Sequence, residues 1–109
     1  MKTVNDESIE AALNFLRDTS KDVANAKAMA KYLEQKRKSL KAAAFLEAQG
    51  QNIAERESKA YRDDAYLQCI EDYKSAVYDF ELLENQRRAA ELRIEVWRTI
   101  NANNRRGNI

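Results

Sequence analysis

Residues 73–101, YKSAVYDFELLENQRRAAELRIEVWRTIN, decide the fold. Nothing in this stretch breaks a helix: it holds neither glycine nor proline, and apolar side chains recur at alternating steps of four and three. One seam reads Tyr73, Ala76, Phe80, Leu83, Arg87, Ala90, Ile94, Trp97 and Asn101. A second reads Tyr78, Leu82, Asn85, Ala89, Leu92, Val96 and Ile100. At 100° per residue the two seams are centred about 140–160° apart around the axis. A single partner helix covers one of them. The other stays wet unless a further helix or another subunit covers it.

Working outward, no breaker intervenes between residues 53 and 103, so one very long third helix is predicted there, with residues 104–109 as a frayed basic tail. At 1.5 Å per residue such a helix would be on the order of 75 Å long, too long for a compact globule. Upstream, Gly50 is one of only two glycines, and a left-handed glycine often ends a helix. Asn52 follows as an N-cap with Glu55 three residues on. A second helix over 20–49 carries a thin seam of Ala26, Ala30, Leu33, Arg37, Leu40 and Ala44. A short first helix over 6–17 places Ile9, Ala12, Leu13 and Leu16 on one face, and Thr19 with Asp22 resembles a capping box for the second. No stretch alternates apolar and polar residues as a strand would. The expectation is a single all-α domain. It comprises an antiparallel helical hairpin with a very long C-terminal helix and a short N-terminal helix, assembling into an oligomeric coiled-coil-like bundle.

Charge is patterned although the net is only +1. Residues 23–41 hold six basic side chains against one acidic, residues 42–85 four against ten, and residues 86–109 six against two. An antiparallel hairpin about Gly50 sets 31–41 opposite 61–71, basic beside acidic, and exposed charges of this kind choose register more than they add stability. Tyr78, Leu82, Ala89, Leu92, Val96, Trp97 and Ile100 are the candidate oligomer interface. Burying four such aliphatic side chains is worth roughly 1.5–3 kcal/mol each. The competing arrangement has the first helix fold back over the second seam and complete a three-helix bundle. Arg87, Asn85 and Asn101 within the seams could set register or subunit number.

Catalytic chemistry has little to work with. The chain has no histidine, one cysteine and no glycine-rich loop, which removes the commonest general base, a zinc site and a phosphate cradle. No metal or cofactor is expected, and no enzymatic activity. Asp63-Asp64 and Glu71-Asp72 read as a solvated face, since helix neighbours point about 100° apart. Cys69, between Leu67 and Ile70, reads as a small apolar group on a helix face in a reducing compartment. No segment has the apolar length of a signal peptide core or a membrane span, so a soluble cytoplasmic protein without membrane contact is expected.

The informative polar feature is the row Lys27, Lys31, Glu34, Lys38, Lys41 and Phe45, with Lys36 and Arg37 flanking the apolar seam. A lysine row ending in an aromatic suits the backbone and bases of single-stranded nucleic acid. The competing reading is an ordinary solvated face. Lys27, Lys31, Lys36, Arg37, Lys38, Lys41 and Phe45 are the candidate nucleic-acid contacts. A second basic group, from Arg87 to Arg106, fits either an acidic partner or helix-end charge.

The run Gln35-Lys36-Arg37-Lys38-Ser39-Leu40-Lys41-Ala42, followed by Gly50, resembles the UvsY family of phage recombination mediators. There a helix with a Gln-Lys-Lys…Leu-Lys-Ala run precedes a glycine-bearing turn. The resemblance implies a ring-shaped homo-oligomer of a phage-encoded protein that binds single-stranded DNA. Such a mediator helps load a RecA-type recombinase onto DNA covered by single-strand-binding protein. Lys41 matches a basic family position implicated in DNA binding, whereas the companion position two residues later is Ala43 here. Two other functions compete: a coiled-coil adaptor or scaffold holding a protein partner through its C-terminal helix, and an inhibitor whose acidic residues 55–84 mimic nucleic acid.

Overall fold

A computed structural model describes residues 5–107 and contains four helices: α1 (Asp6–Asp18), α2 (Ser20–Glu47), α3 (Ile53–Ala60) and α4 (Asp64–Gly107). Among the described residues there is no strand. The all-α expectation therefore holds, with a short first helix and a long last one. The chain divides into two compact units, Asn25–Phe80 and the pair of segments Met1–Ala24 with Glu81–Ile109.

Asn25–Phe80 is the hairpin. Leu33, Cys69 and Ala76 form its buried cluster, with Ala30, Leu40 and Tyr73 packed against it. The Cys69 thiol donates to the Leu33 carbonyl at 3.7 Å, so cysteine acts here as a small, buried core residue. Lys41 opposite Tyr61, and Leu33 opposite Cys69, realise the expected register. The charge blocks do not pair across it. Among the described residues every salt bridge is local in sequence, as in Lys38 with Glu34 and Lys59 with Glu55. Across the hairpin the cations meet aromatic rings instead, with Arg37 5.2 Å from the Tyr73 ring centre.

The expected glycine cap of α2 is replaced by side chains. Gly50 has no positive φ, and α2 ends at Glu47 rather than at residue 49. The Arg56 guanidinium stacks 4.9 Å from the Phe45 ring centre and donates to the carbonyls of Phe45, Leu46 and Ala48. Lys59 donates to Gln49. These cations satisfy carbonyls that a helix C-terminus leaves bare. Gly50 matters for space, because a Cβ there would lie 3.2 Å from Arg56 Cγ and from the Glu55 side chain. The Asn52 cap is as expected: its side chain accepts from the Glu55 amide at 2.8 Å, and Glu55 accepts from Gln51.

The helix expected over 53–103 breaks at Tyr61–Asp63. The amides of Arg62 and Asp63 bond three residues back, to Lys59 and Ala60, which tightens the turn and ends α3. Asp63 then caps α4 by accepting from the Tyr66 amide at 3.0 Å. The adjacent carboxylates Asp63 and Asp64 are thus a helix start. Ala60 and Tyr66 are buried at this junction, and the Tyr61 and Tyr66 rings meet edge to face at 6.0 Å.

The other unit pairs α1 with the later part of α4. Asn5 caps α1 by accepting from Ser8 at 2.8 Å, and Ile9, Ala12 and Ala90 are buried. Arg87 donates to the Leu16 carbonyl at 2.7 Å and to the Thr19 hydroxyl at 2.6 Å, and Trp97 Nε1 donates to Asp6 at 3.1 Å. Thr19 is the sole residue between α1 and α2. Its hydroxyl donates back to the Phe15 carbonyl, so the expected capping box with Asp22 does not form. The tail expected to fray from 104 is helical through Gly107, with Arg105 and Arg106 in the last turn where cations complement the helix dipole. Residues 108 and 109 of that tail lie outside the described residues.

Candidate nucleic-acid and assembly surfaces

The two seams of α4 have opposite fates. Every member of the first, from Tyr73 to Asn101, is buried or half-buried. The second is open: Tyr78 is 65% exposed, Leu82 44%, Leu92 54%, Val96 47% and Ile100 39%, with Asn85 and Ala89 exposed between them. Within the unit that holds both, α1 packs on the first seam through Ala90, Arg87 and Trp97 and leaves Leu82–Ile100 uncovered. Trp97, placed among the interface candidates, belongs instead to the face that α1 occupies. An open depression of about 400 Å³, lined by Ala11, Ala12, Phe15, Ala89, Ala90 and Arg93 among others, runs beside the stripe.

The basic candidates on α2 separate into two groups. Lys27, Lys31, Lys36 and Lys38 are exposed, Lys38 within 3.9 Å of Glu34 and Lys36 6.0 Å from the Tyr32 ring centre. Arg37, Lys41 and Phe45 are half-buried and already partnered. Arg37 lies on Tyr73, Phe45 lies under Arg56, and the Lys41 ammonium donates to the Tyr61 hydroxyl at 2.6 Å. That hydrogen bond holds Lys41 above the ordinary lysine value, with desolvation pulling the other way.

Three of these residues come together. Lys38, Lys41 and Phe45 line one open depression of about 410 Å³ with Ala42, Leu46 and Glu57. Its floor is apolar, and Leu46 is 74% exposed. Glu57 on α3 was missed by the sequence reading, because only the Gly50 turn brings α3 beside this part of α2. No group of three or more acidic, cysteine or histidine side chains among the described residues is arranged to hold a metal ion. No helix among the described residues is long and apolar enough to cross a membrane. Comparison with protein-family models, with curated proteins and with solved structures finds no match for the chain.

Proposed function

We propose that this chain is a non-enzymatic, self-associating accessory protein that binds single-stranded DNA, of the kind that helps load a RecA-type recombinase. The observation that carries the reading is the depression where Lys38, Lys41 and Phe45 meet, with Lys27, Lys31 and Lys36 exposed along the same helix. Two ammonium groups beside an apolar floor give phosphate contacts next to a surface on which a base can lie. Glu57 in the same depression opposes a phosphate, so one copy binds weakly. Assembly compensates, because linked copies turn weak contacts into a polyvalent one. The exposed stripe of α4 supports that half of the reading, since contiguous apolar side chains left in water mark an interaction surface.

The test is light scattering and fluorescence titration with unlabelled and labelled oligothymidine at low and high salt. An assembly of at least two copies is expected, with affinity falling as salt rises at a logarithmic slope of about −0.7 per neutralised phosphate. Lys31→Glu with Lys38→Glu, two exposed positions without tertiary partners, should weaken binding at least tenfold and leave helix content unchanged. Undiminished binding in that variant overturns the surface. Assembly without any affinity for the oligonucleotide favours the adaptor function, with the stripe as the site for a protein partner.

A further inference from the structure

Within Leu82–Ile100 the exposed positions form two lines, Leu82, Ala89 and Val96 on one and Asn85, Leu92 and Thr99 on the other, repeating every seven residues. This is the spacing of a two-helix seam. Glu81, Arg88 and Glu95 flank it on the side away from α1, and all three are exposed. Gln86 and Arg93 flank it on the side of α1 and line the depression there.

The geometry points to a second copy of this chain as the occupant of the stripe, its α4 running antiparallel with Ala89 of each copy opposite Leu92 of the other. The inference rests on the assembly reading above and adds its direction and register. Charge separates the two possible directions. In the antiparallel register Arg88 falls beside Glu95 of the second copy, and symmetry makes this pair twice. In a parallel, in-register pair Arg88 falls beside Arg93 of the second copy, also twice, which is repulsive. Size points the same way. The antiparallel pair sets the large Leu92 against the small Ala89, at the rim of the depression lined by Ala11, Ala12, Phe15 and Ala90. The parallel pair stacks Ala89 on Ala89 and leaves that depression unfilled. Its one advantage is Asn85 facing Asn85, a match that fixes register at some cost in stability. In the antiparallel pair Asn85 meets Val96 near the edge of the contact, where the exposed amide keeps its water.

Sedimentation of the full chain over a range of concentrations tests this, with circular dichroism as the control for folding. Arg88→Glu replaces two attractive contacts with two repulsive ones in the antiparallel pair, so the dissociation constant should rise roughly tenfold. In a parallel pair the same change turns repulsion into attraction and tightens association. Adding Glu95→Arg to Arg88→Glu should restore the antiparallel pair, although Glu84 still faces the new carboxylate one helical turn away in the same chain. Weakening followed by rescue supports the inference. Tightening or no change in Arg88→Glu overturns the orientation while leaving self-association standing. A wild-type chain that is monomeric at every concentration overturns both.

Discussion

Arg87 shows how a side chain that looks like a seam defect can be structural. It sits in the first seam of α4 between Leu83 and Ala90 and reads there as a polar interruption or a partner-binding charge. Its guanidinium instead bonds the Leu16 carbonyl and the Thr19 hydroxyl at the one-residue break between α1 and α2. A charged donor at a helix C-terminus satisfies bare carbonyls and complements the negative end of the dipole. Arg87→Ala should therefore cost about 1–3 kcal/mol in urea unfolding, the range for leaving half-buried partners of a charged donor unsatisfied. Lys41 makes a different kind of prediction. Its folded value lies above the unfolded one, so its stabilising contribution is complete below the unfolded lysine value of 10.5 and fades as pH rises through the higher folded value. Neutral and acidic stability should thus be flat with respect to this group. Any stability gap between wild type and Tyr61→Phe should close only in the alkaline limb, which pH-dependent thermal unfolding would show.

At the scale of elements, the helix ends separate what could be read from what could not. Asn52 caps as expected because a side-chain oxygen ahead of an acidic first turn is a purely local signal, and Asn5 acts in the same way ahead of Asp6 and Glu7. Asp63 offered the same signal, and it was hidden by high helix propensity on both sides, which let 53–103 read as unbroken. What breaks that run is tertiary: Ala60 and Tyr66 are buried at the junction, and the chain turns to bury them. Asp63→Ala should lower stability by about 1 kcal/mol, as lost N-caps do, and speed amide exchange at Tyr66 before exchange elsewhere. If exchange at Tyr66 stays as slow as in the wild type, Asp63 is not what starts α4. The end of α2 was illegible for another reason. Arg56 and Lys59 reach it from the next helix, and no rule about glycine after a helix anticipates donors eight to eleven residues downstream.

For the whole molecule, period was enough for the class and for the two faces of α4, since 3.6-residue geometry fixes which residues share a face, and the Gly50 turn was enough for the hairpin register; which face α1 covers stayed open between two arrangements. Of the candidate nucleic-acid residues, the sequence placed Lys38, Lys41 and Phe45 on one side of α2, and they do line one depression. It could not see that Arg37 and Lys41 would turn onto tyrosines, because block charge says nothing about which neighbour is a ring. Division into two units was equally out of reach, since α2 and α4 each pass from one unit into the other with neither glycine nor proline at the crossing. That division carries a consequence for the order of events. The cross-helix bonds of Asn25–Phe80 join residues 10 to 36 positions apart, whereas those of the other unit join positions 68, 71 and 91 apart. Short loops close sooner than long ones. As the polypeptide leaves the ribosome the hairpin has all its own residues in hand, while α1, made before it, must wait, unpaired, until Arg87 and Trp97 have been translated.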